Sequence, residues 1–159
     1  MEKFNQPLHR FLLEQNYTPL SLLESPARLF TTQGTINNQN MLFIVDTGAS
    51  DTCLDIQSAT QKLNLVASEL NDKVIGFGAT DGARSISFLE KIALGDFAIA
   101  DFAISVIDLS NINMALHSLG FSPIDGIIGA DILAKYNALI SYENKYLYLK
   151  KNTPEITLS

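Results

Sequence analysis

The 159-residue sequence predicts a mostly β domain with a few short helices. Short runs of strand-forming residues alternate with turn signals such as Ser25-Pro26, Asn37-Asn38 and Gly95-Asp96. Helical periodicity is confined to short segments, and the chain shows no internal repeat or low-complexity region. A hydrophobic content of 47% suffices for one compact core at this length but hardly for two. We therefore expect a single β domain.

The first segment of the chain is typical of a short amphipathic helix. Pro7 suits the first turn, and Leu8, Phe11 and Leu12 follow at helical spacing. One narrow apolar stripe offers little energy for membrane insertion. We interpret residues 1–17 as a cover helix that packs on the sheet or on a partner subunit.

The next stretch predicts strands at 19–23, Arg28–Ile36 and Gln39–Val45. Asn37-Asn38 can adopt the positive φ angles of a tight hairpin turn, so the last two strands should pair antiparallel. This hairpin leads directly to Asp46.

A short helix is predicted between Asp55, a plausible N-cap, and Leu63. Its spacing places Ile56, Ala59, Thr60 and Leu63 on one side. That side is expected to face the core.

The segment from Lys73 to Arg84 contains Gly76, Gly78 and Gly82 between strand-like flanks. These glycines permit sharp, mobile turns, as an opening hairpin would need. A phosphate-binding loop is the rival interpretation. It fails because the segment has neither a Gly-Lys-Ser/Thr ending nor a G-x-G-x-x-G motif opening a helix.

The second half of the chain continues as a β meander with turns and one further helix. Residues 110–120 are more polar and predict either a loop or a helical turn, while Ile132, Leu133 and Tyr136 support a short helix. The strands are predicted at 88–94, 97–98, 102–109, 138–142 and 146–150.

Charge and hydropathy exclude several partners. The net charge is -6 with no cluster of Lys or Arg, which argues against nucleic acid and against an anionic membrane surface. No apolar stretch approaches the roughly 20 residues that span a bilayer, and the N-terminal residues do not form a secretory signal. We expect no membrane span and a cytoplasmic location.

Cys53, His9 and His117 do not form a motif of their own. A single cysteine allows no internal disulfide, and the three residues lack zinc-ligand spacing, so no metal or other cofactor is predicted. No base lies near Cys53 in a recognisable hydrolase motif. We interpret Cys53 as a small buried core residue and the histidines as packing or surface residues.

The apolar run Met41–Val45 ends at Asp46-Thr47-Gly48-Ala49. A buried charge is costly unless it has a partner, so this Asp serves either as a backbone cap or in chemistry. Asp-Thr-Gly alone is a weak turn signal that a structural role would also explain.

A second motif, Asp125–Leu133, contains Ile127-Ile128-Gly129 before a short amphipathic segment. In this order, with a Gly-rich hairpin between them, the two motifs resemble those of retropepsin-like aspartic proteases. The resemblance covers residues 18–150, and it implies a closed β-barrel of the acid protease fold with one lobe per chain. We accordingly assign residues 18–151 to a protease domain and 152–159 to a tail.

The resemblance implies an aspartic endopeptidase acting on a peptide or protein substrate. Such an enzyme needs two carboxylates about 3 Å apart that share one proton. Asp81-Gly82 and Asp125-Gly126 lack the required sequence context, so this chain offers only Asp46. The second carboxylate would come from a second copy, which makes a homodimer the expected active species.

The resemblance also implies roles for the neighbouring residues. Thr47 would bond across the two-fold axis, and Gly48 would let the backbone approach carboxylate and substrate. The remaining assignments are Ala49 to the active-site loop, Ser50 and Asp51 to the substrate cleft, Ile75, Gly76, Phe77 and Gly78 to the flap, and Ile127, Ile128 and Gly129 to a supporting loop.

The sequence departs from the retroviral pattern at two positions. Retroviral enzymes commonly carry an Asp–Arg ion pair where this chain has Ser50 and Ala130. Ala49 brings no hydroxyl to the charged dyad, which predicts a less acidic optimum than in relatives with Ser there. Two alternatives to a general endopeptidase stay open: a catalytically silent peptide-binding or dimerisation module, and a self-processing or regulatory domain of narrow specificity.

Overall fold

The computed structural model describes residues 7–65, 68–69 and 85–151. The predicted flap at 75–78 and the predicted tail at 152–159 lie outside these ranges. The helices are α1 (Pro7–Glu14), α2 (Ile56–Gln61), α3 (Ser110–Ser118) and α4 (Ala130–Lys135). The strands are β1 (Tyr17–Ser21), β2 (Leu23–Glu24), β3 (Phe30–Ile36), β4 (Gln39–Val45), β5 (Cys53–Asp55), β6 (Ser68–Glu69), β7 (Ser85–Leu94), β8 (Phe97–Ile107), β9 (Gly126–Ile128), β10 (Leu139–Ser141) and β11 (Tyr146–Lys150).

Six strands form a closed barrel in the order β3-β4-β9-β5-β8-β7, and pairing of β3 with β7 completes the ring. The short strands β2 and β6 extend β3 and β7. Two of the pairings, β4 with β9 and β5 with β8, are parallel. The predicted closed β-barrel is therefore confirmed. The parallel pairing of β4 with β9 is the contact that joins the two sequence motifs.

Alternating side chains of β4 and β9 face two different hydrophobic clusters. Phe43 and Ile128, both fully buried, belong to the main core inside the barrel. Ile44 and Ile127 point the other way, into a smaller cluster that includes Leu116 of α3. The strand that leads to Asp46 is thus packed on both faces, as its continuous apolar run predicts.

A second sheet, in the order β1-β11-β10, carries α1 on one face. The predicted N-terminal helix is confirmed, but only part of its predicted apolar stripe is buried. Leu8 and Phe11 are more than half exposed, whereas His9 and Leu12 are buried against Tyr residues of β11. His9 Nδ1 lies 2.9 Å from the Tyr148 hydroxyl, and this polar contact turns His9 inward.

The predicted hairpin turns are confirmed. Asn37 and Asn38 have φ angles of 49° and 62°, and β3 pairs with β4 from Ile36 opposite Gln39. Gly95 has a φ of 54° in the turn between β7 and β8. Both turns need the left-handed backbone that Asn and Gly tolerate.

Two other predictions need correction. The separate strands expected at 97–98 and 102–109 are one strand, β8, because it pairs along its length with β7. Helix α2 buries Ser58 and Ala59 and exposes Ile56 and Thr60, so its predicted inner face is partly wrong. Ser58 turns inward because its hydroxyl donates to a buried carboxylate.

Among the described residues, no helix is long and apolar enough to cross a membrane.

Candidate active site

Asp46 lies immediately after β4 and is half-buried. Its Oδ1 accepts a hydrogen bond from the Gly48 backbone amide at 2.8 Å, and its carbonyl oxygen accepts from the Ala49 amide at 3.3 Å. These bonds fold residues 46–49 into a tight turn, with Thr47 and Gly48 exposed. A Cβ on Gly48 would lie 3.2 Å from Oδ1, so the glycine permits this close approach of backbone and carboxylate.

The supporting loop lies directly beside the turn. Val45 pairs with Ile128, and the Asp46 amide then donates to the Ile128 carbonyl oxygen at 3.0 Å. The structure therefore brings together the two motifs that are far apart in the sequence. Ile127 and Ile128 are buried, and the backbone of Ile128 holds that of Asp46 in place.

Gly129 brings its backbone against the segment that follows the turn. A Cβ at this position would lie 2.6 Å from the carbonyl carbon of Asp51 and 3.0 Å from the carbonyl oxygen of Ala49. The next amide, of Ala130, donates to the Ala49 oxygen at 2.7 Å, and that of Asp131 donates to the Ser50 oxygen at 3.2 Å. Only glycine leaves room for this contact.

Thr52 and Asp131 connect the same two segments through their side chains. Asp131 Oδ1 accepts from the amide of Thr52 at 2.9 Å, from its hydroxyl at 2.7 Å and from the Ile132 amide at 2.8 Å. The Thr52 oxygen in turn accepts from the Gly129 amide at 3.0 Å. These bonds join the loops that the retroviral ion pair would join, although Ser50 and Ala130 replace its partners.

Sequence reasoning did not find Thr52 or Asp131. The only local signal was an acidic residue in the first turn of the predicted last helix, where a carboxylate is favourable. It also did not assign Asp125, which is buried and binds groups of β4 and α2.

The predicted cleft residues lie close to this site. Ser50 is exposed and Asp51 is half-buried, and their side chains are 3.5 Å apart. The predicted flap residues fall outside the described ranges.

An open groove of about 280 Å³ lies beside the Asp46–Ala49 turn. Its lining is mainly apolar and consists of Thr47, Ala130, Leu133, Ala134, Ala138 and Ile140. Because Thr47 lines it, any molecule that covers the exposed turn from this side also covers the groove.

The other candidate residues lie elsewhere. Cys53 is buried in the smaller cluster, as predicted, and His117 is exposed in the last turn of α3. No group of three or more His, Cys, Asp or Glu side chains within the described ranges is arranged to hold a metal ion.

Two solved structures have a similar fold. The fold is similar to a retropepsin-like aspartic protease from Rickettsia conorii, with a TM-score of 0.55, 18% identity, and coverage of 84% of this chain and 88% of that one. It is also similar to the retroviral protease-like domain of Ddi1 from Leishmania major, with a TM-score of 0.50, 20% identity, and coverage of 82% and 98%. At these identities the likeness shows the fold.

No curated protein matches the sequence. Residues 32–132, which include Asp46-Thr47-Gly48-Ala49 and Ile127-Ile128-Gly129, match the aspartyl protease family. With the barrel, the Asp-Thr-Gly turn and the supporting loop in place, the chain belongs to the aspartyl protease family and has the retropepsin fold.

Proposed function

We propose that the protein is an aspartic endopeptidase whose active species is a homodimer. The observation that carries this proposal is the Asp46-Thr47-Gly48 turn, exposed at the end of β4 and held by the backbone of Ile128. Asp46 is a half-buried acidic residue beside the buried Ile127 and Ile128, a setting typical of functional carboxylates.

The proposed chemistry uses one Asp46 from each copy. Two carboxylates about 3 Å apart share a proton, because like charges that close cannot both ionise. The unprotonated carboxylate takes a proton from a water molecule, which attacks the scissile carbonyl carbon. The protonated carboxylate donates to the carbonyl oxygen, so acid and base act together.

The surroundings of Asp46 support a two-fold arrangement. Thr47 is exposed and lines the apolar groove next to α4, which a second copy could cover as the two turns approach. Burial of apolar surface is the usual driving force for such association. The substrate would be an extended peptide beside Ser50 and Asp51, closed over by the flap at 75–78.

The test is a peptidase assay with a broad peptide library, run on the wild type, on Asp46→Asn and on Asp96→Asn. Asp96 is an exposed residue in the turn between β7 and β8 and serves as the charge-matched control. We expect Asp46→Asn to lose about 100-fold or more of the activity, because it removes the shared proton and the base. The Asp96→Asn variant should keep full activity.

The fold should survive the Asp46→Asn change, because the asparagine Oδ1 can still accept from the Gly48 amide. Circular dichroism and sedimentation at assay concentration check the fold and the dimer. Full activity of Asp46→Asn would contradict the proposal. Tight peptide binding by a wild type that cleaves nothing would instead establish a silent peptide-binding module.

A further inference from the structure

Asp125 is a buried carboxylate, 6% exposed, at the entrance to β9. Its Oδ1 accepts from the Ser58 hydroxyl at 2.6 Å and lies 2.7 Å from Lys62 Nζ. Its Oδ2 accepts from the Leu42 amide at 2.8 Å. A buried charge is costly unless all of its contacts are well formed. The proposed chemistry makes no direct use of the Asp125 carboxylate.

The backbone of Asp125 binds the same residue of β4. Its amide donates to the Leu42 carbonyl oxygen at 2.7 Å, so Asp125 engages both backbone groups of Leu42. Its own carbonyl oxygen accepts from the Asp55 amide at 2.8 Å, at the N-cap of α2. Leu42 is therefore held directly opposite Asp125.

This contact lies at the start of the parallel pairing that ends at the catalytic turn. Phe43 pairs with Gly126 and Val45 with Ile128, and the Asp46 amide follows with its bond to the Ile128 oxygen. A slip of one residue would exchange the faces of Phe43 and Ile44 and move Asp46 away from Ile128. The Leu42 contact opposes that slip because sliding would break both bonds.

We propose that Asp125 is a positioning residue of the active site. Its carboxylate, aimed by Ser58 and Lys62 of the α2 region, holds Leu42 and so sets the register of β4 on β9 that places Asp46. The role in catalysis rests on the proposed peptidase function, whereas the role in placing Asp46 is a property of the fold.

The test compares Asp125→Ala, Asp125→Asn and the control Ser25→Ala. The control removes a buried hydroxyl that accepts from the Leu29 backbone amide at 3.2 Å, in the turn between β2 and β3. Both alanine variants should lower the melting temperature. Only loss of Asp125 should affect the strand that carries Asp46.

The first readout is amide hydrogen exchange by NMR. In Asp125→Ala we expect exchange at Asp46 and Leu42 to rise about tenfold relative to the amides of β11, because the bonds that hold β4 are weakened. Asp125→Asn should restore much of the protection, since its amide oxygen can accept from Leu42. In Ser25→Ala the ratio of Asp46 to β11 exchange should stay that of the wild type.

The second readout separates kcat from KM. A displaced Asp46 should lower kcat about tenfold or more in Asp125→Ala with little change in KM, whereas Ser25→Ala keeps the wild-type kcat. An unchanged Asp46 exchange ratio in Asp125→Ala would overturn the proposal. So would an equal loss of kcat in the two alanine variants.

If the wild type cleaves no peptide, the peptidase proposal fails while the exchange ratio still decides the role of Asp125. If Asp125→Ala does not fold, Ser58→Ala takes its place, because it removes the 2.6 Å donor that aims the carboxylate. A wild-type exchange ratio at Asp46 in that folded variant would count against the proposal.

Discussion

The backbone amide of Asp46 donates to the carbonyl oxygen of Ile128 at 3.0 Å. This bond extends the parallel pairing of β4 with β9 by one residue beyond the strand end. The candidate catalytic residue is thus fixed through its backbone, while the residue as a whole is only half-buried. Such a site can combine a rigid position with a reactive side chain.

Mixing wild-type chains with a ninefold excess of Asp46→Asn should reduce the activity per wild-type chain to about one tenth, provided that subunits exchange. Most wild-type chains would then sit in mixed dimers with one carboxylate. The measurement is the peptidase rate after incubation, with excess Asp96→Asn as the control that should add activity. An active monomer would be insensitive to the mixture.

Gly129→Ala should reduce both stability and activity. The new Cβ would press against the backbone of Asp51 and Ala49, with a cost of about 1–3 kcal/mol in the free energy of unfolding. Gly120→Ala is a suitable control, because its Cβ meets no atom within 4 Å while its φ of 74° costs about 1 kcal/mol.

The two glycine variants should differ in turnover more than in stability. We expect kcat/KM to fall about tenfold or more for Gly129→Ala, because the displaced segment directly follows the Asp46–Ala49 turn that we propose to be catalytic. Gly120→Ala should retain the wild-type value. Equal kcat/KM values in the two variants would show that the Gly129 contact does not position the site.

Asp131→Ala should lower the free energy of unfolding by about 1–3 kcal/mol, because it leaves the amide and hydroxyl of Thr52 without their acceptor. Urea denaturation at fixed protein concentration measures this loss, with Asp96→Ala as an exposed control. Combining it with Thr52→Val should cost less than the sum of the single changes, because the two residues share one network. Strict additivity would contradict the coupling.

Alkaline pH should weaken the packing of α1. Burial and the neighbouring Tyr146 raise the pKa of Tyr148 above its usual value, so the folded state favours the neutral phenol. The unfolded chain ionises first as the pH rises. The contribution of Tyr148 to the free energy of unfolding is therefore fully present below the ordinary tyrosine pKa of about 10. It is lost as the pH rises through the higher pKa that Tyr148 has in the folded state.

Tyr148→Phe should remove this contribution. It also deletes the 2.9 Å contact with His9, so at neutral pH the variant should be less stable by about 1 kcal/mol. Melting temperatures from pH 7 to 11 test this, with Tyr142→Phe, an exposed tyrosine, as the control. If the melting temperature of Tyr148→Phe falls between pH 7 and 11 as steeply as that of the wild type, another group is responsible for the loss of stability at alkaline pH.

Gly76→Val with Gly78→Val should lower kcat/KM far more than the melting temperature. This prediction rests on the sequence, because the segment lies outside the described residues. The proposed flap must open and close, and two β-branched residues would stiffen it. We expect little effect on the melting temperature, because an exposed flap contributes little to the core. An unchanged kcat/KM together with a large drop in melting temperature would identify the segment as core.

The sequence by itself determined the strand pairs whose turns have local chemical requirements. Asn37-Asn38 and Gly95 supply the left-handed backbone that tight hairpins need, so the hairpins of β3 with β4 and β7 with β8 were predictable. Asp46 and the supporting loop were found through two motifs whose residues and order resemble those of a known family. The two motifs lie side by side because β4 and β9 are neighbouring strands of the barrel.

Only the tertiary structure decided which polar residues support the site. Thr52 and Asp131 are separated by 79 positions and Leu42 and Asp125 by 83, and their hydrogen bonds have no periodic signature in the sequence. His9 and Ser58 face inward where hydropathy favoured Leu8 and Ile56, because each finds a buried hydrogen-bond partner. A buried polar group is stable only beside a partner, and its partner is chosen by the packed fold rather than by neighbouring residues.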